Sequence, residues 1–141
     1  LKFQMITYKF LKANPDKKSL DQVMSLYKEH GWWNRGDTPK LYRGMIKGSH
    51  CFAVAIDDGI IVGMARAMSD RANDAYIQDV CVCCGYRGRG IAKKLIAMVS
   101  KRLRADGIRW IGLVSTGGTR EFYEKSGFRM MLNAVPMLKQ Q

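Results

Sequence analysis

The chain has 141 residues, of which 47% are hydrophobic and 26% charged, the proportions of a single globular domain with a buried core. No stretch is apolar enough to span a membrane, and the opening LKFQMITYKF lacks the apolar core of a signal peptide, so a cytoplasmic protein is expected. Twenty-four Lys and Arg against twelve Asp and Glu leave a net charge of +12, which favours anionic partners: a polyphosphate ligand, nucleic acid or an acidic surface.

Residues 3–10 alternate weakly and predict an edge strand. After the turn at Asn14-Pro15-Asp16, the apolar residues Leu20, Val23, Met24 and Tyr27 keep helical spacing. Ser19 is the expected N-cap and Gly31 the residue that ends this helix. The adjacent Trp32 and Trp33 fit either a packed plug under the connecting loop or the wall of an acceptor pocket. A second helix is predicted over 38–46, with Thr38 as cap, Pro39 at the first helical position and Gly48 closing it.

The apolar run 51–56 predicts a strand buried on both faces, Asp57-Asp58-Gly59 a tight hairpin, and 60–69 the returning strand. A polar loop over 69–74 leads into a further strand at 75–82. The stretch 90–105 reads as a helix, with Ile91, Leu95, Val99 and Leu103 in one stripe and Lys93, Lys94, Lys101, Arg102 and Arg104 facing out. Gly107 stops it. A strand is predicted over 108–115, then a Thr116-Gly117-Gly118 loop, then a short helix capped by Thr119 and ended by Gly127. The segments 128–132 and 135–138 read as the last strands. This order mixes antiparallel hairpins with one βαβ crossover. It predicts one α/β domain over residues 1–141, with a mixed, mostly antiparallel sheet and helices on both faces.

Of the four cysteines, Cys81, Cys83 and Cys84 crowd the end of one strand, where alternation sends neighbours to opposite faces and disfavours a disulfide framework. They read as small apolar residues in a reducing compartment. His30 and His50 are too scattered to complete a zinc pattern with them, so no metal is expected.

The stretch 80–95, VCVCCGYRGRGIAKKL, holds the strongest functional signal. A β-branched strand runs into a turn with Gly85, Gly88 and Gly90, and a helix follows. Helix N-termini present unpaired amides and a partial positive charge, and glycines before them let the backbone approach an anion. The turn lacks the GxxxxGK[ST] of a P-loop, and its glycines do not satisfy the dinucleotide GxGxxG pattern. Arg87, Gly90 and Ala92 do match [RQ]xxGx[GA] after a strand containing Val80 and Val82, and EFYEKSGF follows at 121–128.

Together these two motifs resemble the GNAT (GCN5-related N-acetyltransferase) family, closely over residues 50–131 and by element order before that. The resemblance implies the acyl-CoA N-acyltransferase fold and acetyl-CoA as co-substrate. Val80, Cys81 and Val82 would pair with the pantetheine arm as an added strand would. The pyrophosphate would sit on the amides of Gly88, Arg89, Gly90, Ile91, Ala92 and Lys93, with charge from Arg87 and Arg89. The strand at 108–115 would splay away from 80–82 to open the slot. Thr116 stands where the family often has Asn, and Thr119 caps the helix beyond; both are cofactor-side candidates.

The resemblance also implies direct attack by a primary amine, with a strand amide near Val82 stabilising the oxyanion and Tyr123 protonating the leaving thiolate. Asp79 is either a general base or a carboxylate paired with a surface arginine. Gln78, expected on the opposite face from Asp79, would orient the acceptor. Trp32 and Trp33 would line the acceptor site for a small-molecule or peptide amine. A non-catalytic acyl-CoA sensor of the same fold, and a basic nucleic-acid binder without a recognised binding motif, are the alternatives. A homodimer through the strand from Val135 is left open.

Overall fold

The computed structural model describes residues 5–141. Among these described residues are five strands and four α-helices: β1 (Thr7–Phe10), α1 (Lys17–Glu29), α2 (Pro39–Gly48), β2 (Cys51–Asp57), β3 (Ile60–Ser69), β4 (Asp74–Val82), α3 (Ile91–Ala105), β5 (Trp110–Gly112) and α4 (Arg120–Lys125). The first residues of the expected edge strand, 3 and 4, lie outside the described residues. The strands are ordered β1-β2-β3-β4-β5; the first three pairings are antiparallel and β4–β5 is parallel. The sheet is therefore mixed, as its element order predicts. No described helix is long and apolar enough to cross a membrane.

The two faces of the sheet carry different side chains. Phe52, Val54 and Met64 pack with Leu20, Val23 and Tyr27 of α1 and Tyr42 and Ile46 of α2. The opposite face is a floor of small residues, Ala53, Ala55, Ala65 and Ala67, and on it rests the α3 stripe of Ile91, Leu95, Val99 and Leu103. Small residues let α3 approach closely, and Gly63 marks the tightest point. A β-carbon there would lie 3.1 Å from Ile91 Cγ2, 3.3 Å from Leu95 Cδ1 and 3.4 Å from the Cys81 carbonyl oxygen. Gly63→Ala should therefore lower unfolding stability by about 1–3 kcal/mol through overpacking, read from the urea midpoint.

Local chemistry corrects several expectations. The α1 cap is Asp16 rather than Ser19: its Oδ1 accepts the Ser19 amide at 2.8 Å, placing the anion at the positive end of the helix. Thr119 occupies the α4 cap position without a side-chain capping bond. β5 is three residues rather than eight, and no strand forms over 128–138. Apolar content alone suggested those strands, but β5 pairs over too short a length to template them, and Pro136 lacks an amide donor. Met130, Leu132, Val135, Met137 and Leu138 are left exposed. The cysteines, read as small apolar residues, divide: Cys51 and Cys81 are buried, Cys83 is half-buried and Cys84 is exposed.

Candidate active site

β4 and β5 begin together and then part. Asp74 pairs with Trp110, Ala75 with Ile111 and Tyr76 with Gly112, and the ladder ends there. The cause lies on the other edge of β4. Gln78 faces Arg66 and Cys81 faces Met64, so Asp79 and Val80 together oppose the single residue Ala65. This is a β-bulge, and Asp79 holds φ at +56°, a left-handed conformation that Asp tolerates better than most residues. A bulge adds twist and bends its strand. Here it leaves the edge of β4 from Ile77 onward without a strand partner among the described residues.

The opening is a cleft of about 260 Å³. Gln78, Asp79 and Val80 line it from β4, Leu113, Val114, Thr116 and Tyr123 from the segment after β5, and Trp32 from the segment after α1. The bulge overturns the expectation that Gln78 and Asp79 point to opposite faces, because strand alternation fails across it. Cys83 donates its amide to Val62 O of β3 at 2.8 Å. Alternation then turns the amide of Val82 toward the open side, where a developing oxyanion could be met.

Asp79 is held from behind. Its Oδ2 accepts from Tyr27 Oη at 2.6 Å and from Arg66 Nε at 2.7 Å. The arginine partner is not a surface residue: the whole of Arg66 is 7% exposed. Its Nη1 also reaches Ser49 Oγ at 3.4 Å, which in turn donates to Met45 O. This chain ties α1, α2 and β3 to the bulge. Burial pushes the Tyr27 hydroxyl above its ordinary pKa, so it remains a donor to Asp79. Arg66 and Tyr27 were missed as site residues; the signal for Arg66 was a lone charge within the apolar run IIVGMARAMS.

Tyr123 is half-buried between Phe122 and Phe128, with ring centroids 4.9 and 6.0 Å away. Desolvation raises its pKa above the ordinary 10.0, so the phenol is protonated across the neutral range and can donate. Thr116 lines the cleft, but Thr119 acts behind it. The Thr119 hydroxyl lies 2.8 Å from Ser115 Oγ and 2.7 Å from Thr116 O, fixing the loop that carries Thr116. The two tryptophans separate. Trp33 is not in the cleft; it stacks on Tyr42 with centroids 5.0 Å apart under the Lys28 ammonium. Only the plug role suits it.

Below the cleft lies the α3 N-terminus. Gly90 caps α3 at φ +77° with no side-chain capping bond, and Gly88 has the same φ. A β-carbon at either glycine would meet nothing within 4 Å. The amides of Ile91, Ala92 and Lys93 begin the helix and have no intrahelical acceptor. Open space before unpaired amides fits a pyrophosphate. Arg87 folds back to Val82 O (3.3 Å) and His30 (3.3 Å), and Arg89 to Gly85 O (3.2 Å) across the Tyr86 ring. Their contribution here is charge near the loop and rigidity of its backbone. Glu29 accepts the Cys84 amide at 3.0 Å and anchors the loop to α1. Burial pushes the Cys81 thiol up and the Cys83 thiol up to about 11, which leaves neither as a thiolate nucleophile at neutral pH.

The sequence model of the acetyltransferase (GNAT) domain matches residues 19–136. The chain belongs to the GNAT family. Over 68 residues it is 43% identical to the histone acetyltransferase TAP1 of Glycine max; this is 48% of the chain but only 29% of that longer relative. Its fold matches a GNAT family acetyltransferase from Streptococcus pneumoniae with a TM-score of 0.76 at 23% identity, over 97% of this chain and 98% of that one. It also matches an aminoglycoside N-acetyltransferase solved in complex with CoA, with a TM-score of 0.74 at 17% identity, over 99% and 98% of the two chains. The acyl-CoA N-acyltransferase fold and the GNAT assignment are thus established. GNAT acetyltransferases use acetyl-CoA.

Proposed function

We propose that this GNAT protein transfers the acetyl group of acetyl-CoA to a primary amine by direct attack in a ternary complex. The observation that carries the reading is the end of the β4–β5 ladder at Tyr76–Gly112, beside a helix N-terminus with unpaired amides. A parted sheet exposes strand hydrogen-bonding groups to an extended amide-bearing arm, and the α3 amides suit its pyrophosphate. Acetyl-CoA supplies the activated thioester. Among the relatives, one is named for histones and another as an aminoglycoside N-acetyltransferase, which supports an amine acceptor.

The chain's own residues then take defined roles. Gln78 and the carboxylate of Asp79 face the entering amine from β4. The Val82 amide offers a hydrogen bond to charge developing on the carbonyl oxygen. The Tyr123 hydroxyl delivers a proton to the departing sulfur. Leu113 and Val114 add apolar surface to the cleft wall.

Acetyl-CoA binding by calorimetry, with release of the free CoA thiol upon addition of a panel of amines, tests the reading. Gly90→Ala puts a methyl group before the amides at a left-handed position and should weaken acetyl-CoA binding by about tenfold or more. Unaltered binding in that variant, or no thiol release with any amine, would refute it.

A further inference from the structure

The end of α1 grips the loop before α3 with two consecutive residues. Glu29 accepts the Cys84 amide at 3.0 Å, and the ring of His30 meets Arg87, whose Nη2 lies 3.3 Å from His30 Nε2. His30 is the C-cap residue of α1, and its Nδ1 lies 2.9 Å from Leu26 O in the last turn. Trp32, which lines the cleft, sits against the same ring with centroids 5.4 Å apart.

The two ring contacts fix where the proton is. A backbone carbonyl only accepts, so Nδ1 carries the hydrogen. A guanidinium only donates, so Nε2 presents its lone pair to Arg87. The neutral imidazole with its proton on Nδ1 makes both contacts at once, and no other form does. The other tautomer, or the imidazolium, would set an N–H against the N–H of Arg87.

The far side of the guanidinium is equally defined. Arg87 Nε donates to Val82 O at 3.3 Å. The Cys83 amide is used by β3, and in a strand the next residue's N–H and C=O both point the other way, so the Val82 carbonyl faces the open edge. Arg87 thus bridges the open edge of β4 to the end of α1, just ahead of the α3 amides. It is an exposed side chain, so without the His30 contact it would sample solvent and have to be ordered as a ligand arrives.

We propose that His30, as the neutral Nδ1–H tautomer, is a positioning residue that holds the Arg87 guanidinium at the open edge of β4, where its charge meets the diphosphate of an entering acetyl-CoA. This rests on the acetyl-CoA reading of the cleft and adds to it a residue outside the two sequence motifs.

Asn and Gln separate the two halves of the ring. An Asn amide reaches about as far as Nδ1 and keeps a donor near Leu26 O, whereas a Gln amide reaches toward Nε2 and offers Arg87 an oxygen. Calorimetry should show acetyl-CoA affinity weakened by about fivefold or more in His30→Asn and held within about twofold of the parent in His30→Gln. In an Arg87→Ala background His30→Asn should have no further effect, because the group it positions is gone. Nitrogen NMR of the histidine-labelled protein should report the Nδ1–H tautomer at His30. Parent affinity in His30→Asn, equal losses in the Asn and Gln variants, the same loss with and without Arg87, or an Nε2–H tautomer would each overturn the positioning role, while binding by the parent still upheld the acetyl-CoA site. A parent protein that binds no acetyl-CoA would overturn both.

Discussion

Tyr123→Phe should lower kcat by about 10²-fold or more while leaving acetyl-CoA affinity nearly unchanged, because it removes a proton donor and little else. The ring's packing against Phe122 and Phe128 is retained in phenylalanine, so the fold is undisturbed. Steady-state kinetics with a saturating amine would show it. The pH profile adds a second reading. Burial holds the phenol above its ordinary pKa of 10.0, so the proton is still present where an alkyl amine begins to lose its own. The rate should rise with pH through the neutral range as the amine deprotonates, without an opposing fall from Tyr123 before about pH 10. An unchanged kcat in the variant would remove Tyr123 from the proton transfer.

Asp79→Ala should be the most destabilising single change at the site. It leaves the Arg66 guanidinium and the Tyr27 hydroxyl without their shared acceptor, both in largely buried surroundings. Stranding one half of a buried ion pair costs about 3–5 kcal/mol, and the 24% exposure of the Asp79 side chain places the expectation near the lower end. That is a large part of the roughly 5–15 kcal/mol that holds a domain together. Pairing the change with Arg66→Met should recover much of the loss, since no charge is then left buried. A double-mutant cycle from urea denaturation measures the coupling, and a cycle that closes near zero would dismiss the pair as a structural tie.

How much of this was legible in the sequence depended on how local each signal was. The α3 stripe and its glycine-led N-terminus are set by residues within one helix, and they stand where the spacing put them. The meander of β2, β3 and β4 was likewise carried by continuous apolar runs and the Asp57-Asp58-Gly59 turn. The bulge was not legible: nothing in DAYIQDVCV announces which residue will adopt a positive φ, since that follows from pairing with β3. For the same reason the partner of Asp79 was sought on the surface, when it was buried thirteen residues away across the ladder. Trp32 and Trp33 are chemically identical neighbours, and only the placement of Tyr42 under Trp33 divides their roles. The apolar residues after Phe128 looked like strands because composition reports propensity but not the presence of a partner edge.

The parted edge of β4 has a cost as well as a use. Unpaired strand groups invite any other extended chain, and proteins that keep such edges open risk sticking to their own copies. Two devices that commonly guard against this are a bulge and a charge pointed inward near the edge. Asp79 supplies the first by its backbone and anchors the second, Arg66, by its carboxylate. The residue that shapes the gap for a ligand thus also makes it a poor template for another strand, allowing a hydrogen-bonding slot to stay open in a crowded solution without seeding aggregation.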